Sequence, residues 1–296
     1  MSSGPTTAVV TDTTAYLPDE LVVRHGIHRV SLYVSLEGQQ WPEIEIAESA
    51  YGDFYERLRR SDEGATTSQP SVGDFLSVYS PLLAEGREIV SIHLSAGISG
   101  TCESARQARD RLLDEGRGGE RVHVYDSRSG CGGQGLVVLA AAGAAEAGAS
   151  GEDTLAAAER CRDRLEMWFA IDTLEYLRKG GRIGAAQAWL GSALQIKPIL
   201  TLVEEITPVE RVRTRRRALE RLVEYARQRH ADGADAWVVQ HIQDPETARR
   251  LVEQGREIFG SDPAFVSEVG PVIGAHIGPG MIGFGGVRTS LLSPSG

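Results

Sequence analysis

The sequence is short of cysteine: Cys102, Cys131 and Cys161 are the only three, and no two form a C-x-x-C pair. An odd, scattered set provides no disulfide framework, and a reducing cytoplasm is the expected compartment. There is no H-E-x-x-H motif and the histidines are spread along the chain, so no metal centre is expected. The longest apolar tract, Leu136 to Ala149, is too short to span a bilayer and contains Glu146. The start, MSSGPTTAVVTDTT, has no charged opening and no long apolar core, and is not read as a signal peptide. Nucleotide motifs are missing too. Gly130, Gly132, Gly133 and Gly135 are misplaced for G-x-G-x-x-G, and no P-loop lysine is present. Basic residues are outnumbered 31 to 41, for a formal charge of −10. That balance argues against a general nucleic-acid or anionic-membrane surface.

What is there is a chain of 296 residues, 41% hydrophobic, enough to bury a sizeable core. Thr7 to Val10 reads as a buried strand ending in the polar turn Thr11-Asp12-Thr13-Thr14. A short helix follows Pro18, Arg29 to Leu36 alternates as one strand, and Tyr51 to Arg60 is helical. Ser61 to Ser71 is a loop of turn formers that ends in the capping pattern Ser71-Val72-Gly73-Asp74. Ile89 to Leu94 is a strand. The small-residue turn Ser95 to Thr101 and a helix come next. Arg121 to Tyr125 is a strand, Gly130 to Gly135 a glycine-rich turn, and helices cover Gln134 to Ala147 and Glu152 to Glu166. Strand and helix alternate, which predicts an α/β fold with a parallel sheet covered on both faces. A second α/β domain is expected from Met167 onward. Its elements include a helix after Arg182 running through Leu194, a basic helix from Arg211 to Arg229, and a glycine-rich tail about His276. The expected division is 1–165 and 166–296.

Strand, tight polar turn and helix start form an arrangement that aims backbone N–H groups at an anion. Ser99 in the turn is open to two readings, a helix cap and a ligand contact. A hydrolase elbow would need glycine where Thr101 stands, which counts against a serine hydrolase using Ser99 and His276. Thr66, Thr67 and Ser68 precede a helix start and read singly as loop and cap residues. His276 follows an apolar run read as a strand and precedes Gly278-Pro279-Gly280, which permits close backbone approach. Arg182, in K-G-G-R-I, is open to a helix C-cap with a solvated guanidinium and to a carboxylate contact. The run Arg211 to Arg217 reads as a solvated helix face or a docking patch for an acidic partner.

Taken together, these stretches resemble the DegV family. Thr11-Asp12-Thr13-Thr14-Ala15-Tyr16-Leu17-Pro18 is similar to its opening D-S-T-x-x-L-P motif, with threonine in place of the serine. Thr67-Ser68-Gln69-Pro70, Ser95 to Thr101, Asp126-Ser127, Gly180-Gly181-Arg182, Lys197-Pro198-Ile199, Val212-Arg213-Thr214 and His276 to Gly280 follow in family order. Ser95-Ala96 departs from the family's common Ser-Ser. The resemblance implies a two-domain α/β protein that holds one long-chain fatty acid between its domains, with no cofactor and no chemistry of its own. It implies that Thr67 and Ser99 hold the carboxylate, with Ser68 and Gly100 beside them, His276 near the head group and Arg182 close by. It further implies a separate ATP-using fatty acid kinase subunit as partner, with Arg213 facing it. Transient membrane contact is compatible with such a ligand.

Overall fold

The computed structural model describes residues 6–191 and 196–292. The first elements in chain order are β1 (Thr7–Asp12), α1 (Asp19–Arg24), β2 (His28–Val30), β3 (Tyr33–Leu36), β4 (Gln39–Pro42), α2 (Tyr51–Arg60) and β5 (Thr66–Ser68). Then come α3 (Val72–Ala84), β6 (Glu88–His93), α4 (Thr101–Asp114), β7 (Val122–Asp126), α5 (Cys131–Glu146), α6 (Gly151–Arg164), β8 (Glu166–Ala170) and α7 (Glu175–Lys179). The last are β9 (Lys197–Leu202), β10 (Ile206–Val212), α8 (Arg215–Ala231), β11 (Ala236–His241), α9 (Pro245–Phe259), β12 (Phe265–Glu268), α10 (Pro271–Ile277) and β13 (Ile282–Val287).

The chain forms two compact units. The first takes the chain up to Leu32, Gln69–Leu165 and the segment from Thr289. The second takes Tyr33–Ser68 and Glu166–Arg288. The units are not consecutive stretches: the chain passes between them at Leu32/Tyr33, Ser68/Gln69, Leu165/Glu166 and Arg288/Thr289. The physical reason lies in where residues 33–68 find their partners. The Tyr55 hydroxyl donates to the carbonyls of Val269 and Gly270 at 2.7 and 3.0 Å. The Glu43 carboxylate accepts from the Val272 N–H at 2.8 Å.

The first unit is a parallel sheet in the order β2-β1-β6-β7. All six residues of β1 are buried, as a strand covered on both faces requires. On one face, Phe75, Tyr79 and Leu82 of α3 and Ala105, Ala108 and Leu112 of α4 pack on Ala8, Val10, Ile89 and Val122. On the other lie α5 and α6, and Gln134 of α5 donates to the Thr11 hydroxyl at 3.0 Å. The capping box expected at Ser71 is formed. The Asp74 N–H donates to the Ser71 hydroxyl at 3.1 Å, and the Ser71 N–H to the Asp74 carboxylate at 2.7 Å.

The second unit has a mixed six-stranded sheet in the order β10-β9-β8-β13-β11-β12, parallel only between β11 and β12. A three-stranded antiparallel sheet, β4-β3-β5, belongs to the same unit. Leu222 and Tyr225 of α8 and Leu251 of α9 close the core over Trp237 and Phe284. Trp168 stacks on Tyr225 with ring centroids 4.1 Å apart.

Several expected elements change. Arg29 to Leu36 is not one strand, because β2 pairs with β1 while β3 joins the other sheet. The stretch read as loop contains β5, paired to β3 with Val34 opposite Thr67. The glycine-rich turn at 130–135 is mostly the first turn of α5. The apolar run before His276 is the helix α10, opened by Pro271. The basic run is split, with Arg211 on β10 and Arg215 to Arg217 in the first turn of α8. The helix expected through Leu194 is a short 3-10 segment, Gly184–Trp189, and Leu194 lies outside the described residues.

Gly255 of α9 sits against the buried Trp237 ring, where a Cβ would overlap the indole. Alanine is the better helix former by about 1 kcal/mol, but Trp237 is held by Phe259 and Phe284 and has nowhere to move. Gly255→Ala is therefore expected to destabilise the chain by about 1–3 kcal/mol. The check is a lower urea midpoint at unchanged slope. A midpoint at or above that of the parent would refute this account of the packing.

Candidate functional site

The second unit brings Thr67 and His276 together. Thr67 is the middle residue of β5, and its side chain is half-buried. His276 is in the last turn of α10, which sits beside β3 and β5. The Thr67 Oγ1 and His276 Nε2 atoms are 2.7 Å apart. The other ring nitrogen, Nδ1, is buried with no hydrogen-bond partner and lies against Gly180. A Cβ at position 180 would overlap it, so glycine at the end of α7 is what lets the imidazole in. A buried N–H without an acceptor costs more than a bare nitrogen lone pair. The ring hydrogen is thus assigned to Nε2, which donates to the Thr67 oxygen. The hydroxyl hydrogen of Thr67 is then left to point at another acceptor.

Burial is the first cause that lowers the affinity of His276 for a second proton, and the charge of Arg182 is the next. Together they push its pKa down from 6.5 to about 4. The site is a neutral imidazole aiming a hydroxyl, suited to an incoming anion and poorly suited to general base work at neutral pH. Arg182 itself is exposed. Its Nη1 donates to the Gly180 carbonyl at 2.7 Å, and its N–H closes the end of α7 on the Leu177 carbonyl at 3.0 Å. The helix-cap reading accounts for its backbone, and its guanidinium acts on His276 through charge. Ser68 is exposed at the end of β5.

The first unit holds Ser99 and Gly100 at the start of α4. The Ser99 hydroxyl is 2.8 Å from the Thr101 hydroxyl and accepts from the Thr101 N–H at 3.3 Å. Ser99 thus makes a capping contact, while Gly100 is the formal cap. Gln69 was named only as part of a motif, yet it shapes this turn. Its Nε2 donates to the Ser104 hydroxyl at 3.2 Å, and its Oε1 lies where a side chain at Gly100 would go. A side chain at position 100 would have to displace the Gln69 amide, which the sequence spacing alone did not reveal.

A second group also escaped the sequence reading. Arg215 pairs with Asp172 at 2.8 Å and with Asp244, and Lys197 donates to Asp172 at 2.9 Å. Gly280, at φ +92°, packs against Asp172 and Arg215. This knot of charge fixes the turn that follows His276. The remainder of the basic run is largely spoken for. Arg217 pairs with Glu220 and Glu224, and Arg211 lies over the Trp189 ring at 5.3 Å. Arg213 is exposed between β10 and α8. Among the described residues, no cluster of histidine, cysteine, aspartate and glutamate could hold a metal ion. Among them too, no helix is long and apolar enough to cross a membrane.

The fold and these turns define a class: two α/β units whose strand-end turns present hydroxyls and helix starts. The family model "Uncharacterised protein, DegV family" matches residues 6–289, and the chain belongs to the DegV family. It is 37% identical to Protein DegV of Bacillus subtilis over 280 residues, which cover 93% of this chain and 97% of the relative. It is 40% identical to a DegV domain-containing protein of Streptomyces coelicolor over 281 residues, 93% of this chain and 96% of that one. Its fold is similar to that of a fatty acid-binding DegV family protein of Thermus thermophilus. The TM-score is 0.83 at 35% identity, covering 95% of this chain and 99% of that one. The structure of DegV from Bacillus subtilis, described as a fatty acid binding protein, gives a TM-score of 0.84 at 35% identity with the same coverage.

The depressed pKa of His276 has a stability consequence. Between about pH 4 and 6.5 the unfolded chain binds this proton and the folded chain does not. The contribution of His276 is therefore fully favourable above pH 6.5 and is lost as the pH falls towards 4. Unfolding free energy is expected to decline across that window, and His276→Gln is expected to flatten the decline. An identical slope in the variant would assign the effect to another group.

Proposed function

We propose that this chain binds a long-chain fatty acid. In this reading the carboxylate takes hydrogens from Thr67 and Ser99. His276 aims the first of these, and Ser68, Gly100 and Arg182 surround the head group. The observation that carries it is the hydrogen order at Thr67. A half-buried hydroxyl is held at its oxygen by a neutral imidazole, and its own hydrogen is left for an acceptor. Relatives at 35% identity are described as fatty acid binding.

The energetics suit such a ligand. Burial stabilises by about 0.8 kcal/mol per methylene, so a chain of about sixteen carbons brings on the order of 10 kcal/mol before ordering costs. A carboxylate leaving water needs several donors, and hydroxyls with helix-start amides supply them without a full counter-charge. We further propose that the protein carries the acid in the cytoplasm, with brief membrane contact during loading. It would present the head group to a separate ATP-using kinase subunit, towards which the exposed Arg213 faces. A serine hydrolase through Ser99 and His276 would ask a nitrogen with a pKa of about 4 to take a proton, which it does badly at neutral pH.

The test is the double variant Thr67→Ala with Ser99→Ala. Native mass spectrometry of the purified parent is expected to show a co-purified long-chain acid. The double variant, with an unchanged circular dichroism spectrum, is expected to lose about nine-tenths or more of it. A folded double variant with its full complement of lipid would sink the proposal.

A further inference from the structure

Four side chains on one face of the first unit's sheet form an unbroken polar chain away from the candidate site. The Tyr79 hydroxyl of α3 donates to the Ser91 hydroxyl at 2.7 Å, and Ser91 lies 2.7 Å from Nε2 of His93. Nδ1 of His93 is 3.0 Å from the Asp12 carboxylate. All four residues are 0% exposed. The order serine, histidine, aspartate is that of a hydrolase triad. Here, however, no substrate reaches the serine, and a phenol occupies its free side, so the array has another use.

Its hydrogens can be counted. The contacts Tyr79–Ser91 and Ser91–His93 have room for two hydrogens. The two hydroxyls already supply two. A third, on Nε2, would leave one buried donor without an acceptor. The ring hydrogen is therefore on Nδ1 and goes to Asp12. Burial holds the Tyr79 phenol well above its usual range, so it keeps its hydrogen. Asp12 also accepts from the Leu94 N–H at 3.0 Å, the Thr14 N–H at 3.0 Å and the Thr14 hydroxyl. The Leu94 contact matters most. Leu94 leads into the turn before α4, where the Ser95 N–H donates to the Ser129 carbonyl at 2.8 Å and the Ser99 N–H to the Ser95 carbonyl at 3.1 Å.

We propose that Tyr79, Ser91 and His93 form a one-way hydrogen-bond chain that fixes the His93 hydrogen on Nδ1, and that Asp12, oriented by it, is the positioning residue for the turn carrying Ser99. The consequence for ligand binding rests on the fatty-acid reading above. The chain of hydrogens stands on its own geometry.

Long-range nitrogen–proton correlation spectra of histidine-labelled protein decide the first part, with the His93 signals identified by their loss in His93→Gln. The wild-type spectrum is expected to show a protonated Nδ1 and a bare Nε2. A hydrogen on Nε2, or on both nitrogens, would overturn the proposal. The second part is read from Asp12→Asn. Its amide can accept at only one of the two carboxylate positions, so an NH2 group meets donors either at Leu94 and His93 or at Thr14. The Leu94 and Ser99 amide signals are expected to shift and palmitate binding to weaken about tenfold or more, whereas a merely structural residue would lower stability and leave both unchanged. A folded Asp12→Asn whose Leu94 and Ser99 amide signals match the wild type, or that binds palmitate as the wild type does, would overturn it. If Asp12→Asn does not fold, the wild-type spectrum still decides between the two tautomers. A wild-type protein that binds no palmitate would overturn the fatty-acid reading instead, and the wild-type spectrum tells the two failures apart.

Discussion

A hydroxyl has one hydrogen to give, and the direction in which Thr67 gives it depends on one buried imidazole. His276 can serve only if its Nδ1 stays bare, and it stays bare because the backbone of Gly180 fills the space where an acceptor would sit. Helix α7 must therefore end in glycine, and α10 must hold its last turn against that end. The same economy recurs around α10. A Cβ on Gly274 would overlap the Tyr55 hydroxyl, and one on Gly278 would overlap the Tyr176 ring. Close approach at these positions stands in for the bulky packing that anchors α8 and α9 on Trp237.

Within the second unit the contact of Thr67 with His276 is between neutral groups, whereas Asp172, Lys197, Arg215 and Asp244 neutralise one another beside the Gly280 turn. A neutral donor set holds an anion without paying the full cost of burying an opposite charge. The ion pairs keep the turn rigid enough for those donors to stay aimed.

Much of this was legible in the residues. The buried strand at Thr7, the helix Tyr51–Arg60 and the Ser71 capping box follow from apolar periodicity and cap chemistry, which are local. The misread pieces depend on distant partners. Nothing in Arg29 to Leu36 tells that its two halves join different sheets, because the break is fixed by what β1 and β5 offer. The stretch at Thr66 looks like a loop, since turn formers surround it, and becomes a strand only because β3 is there to pair with it. His276 reads as following a strand because Pro271-Val272-Ile273-Gly274 is apolar and short, and only its packing on Tyr55 and Tyr176 makes it a helix. Motif order singled out Thr67 and His276, which the fold brings to 2.7 Å. The tautomer of His276 and the wedge of Gln69 at Gly100 were not legible, since both are matters of a few tenths of an ångström in three dimensions.

The path of the backbone has a bearing on biogenesis. Residues 33–68 emerge from the ribosome well before β8, β13 and α10, so the ties of Tyr55 and Glu43 must wait for chain made much later. The first unit likewise receives its closing segment only after Arg288. Cutting the gene after Leu165 would strand β3 to β5 without the scaffold they need. Completion of the second unit is therefore a late event, with contacts of high sequence separation setting its pace.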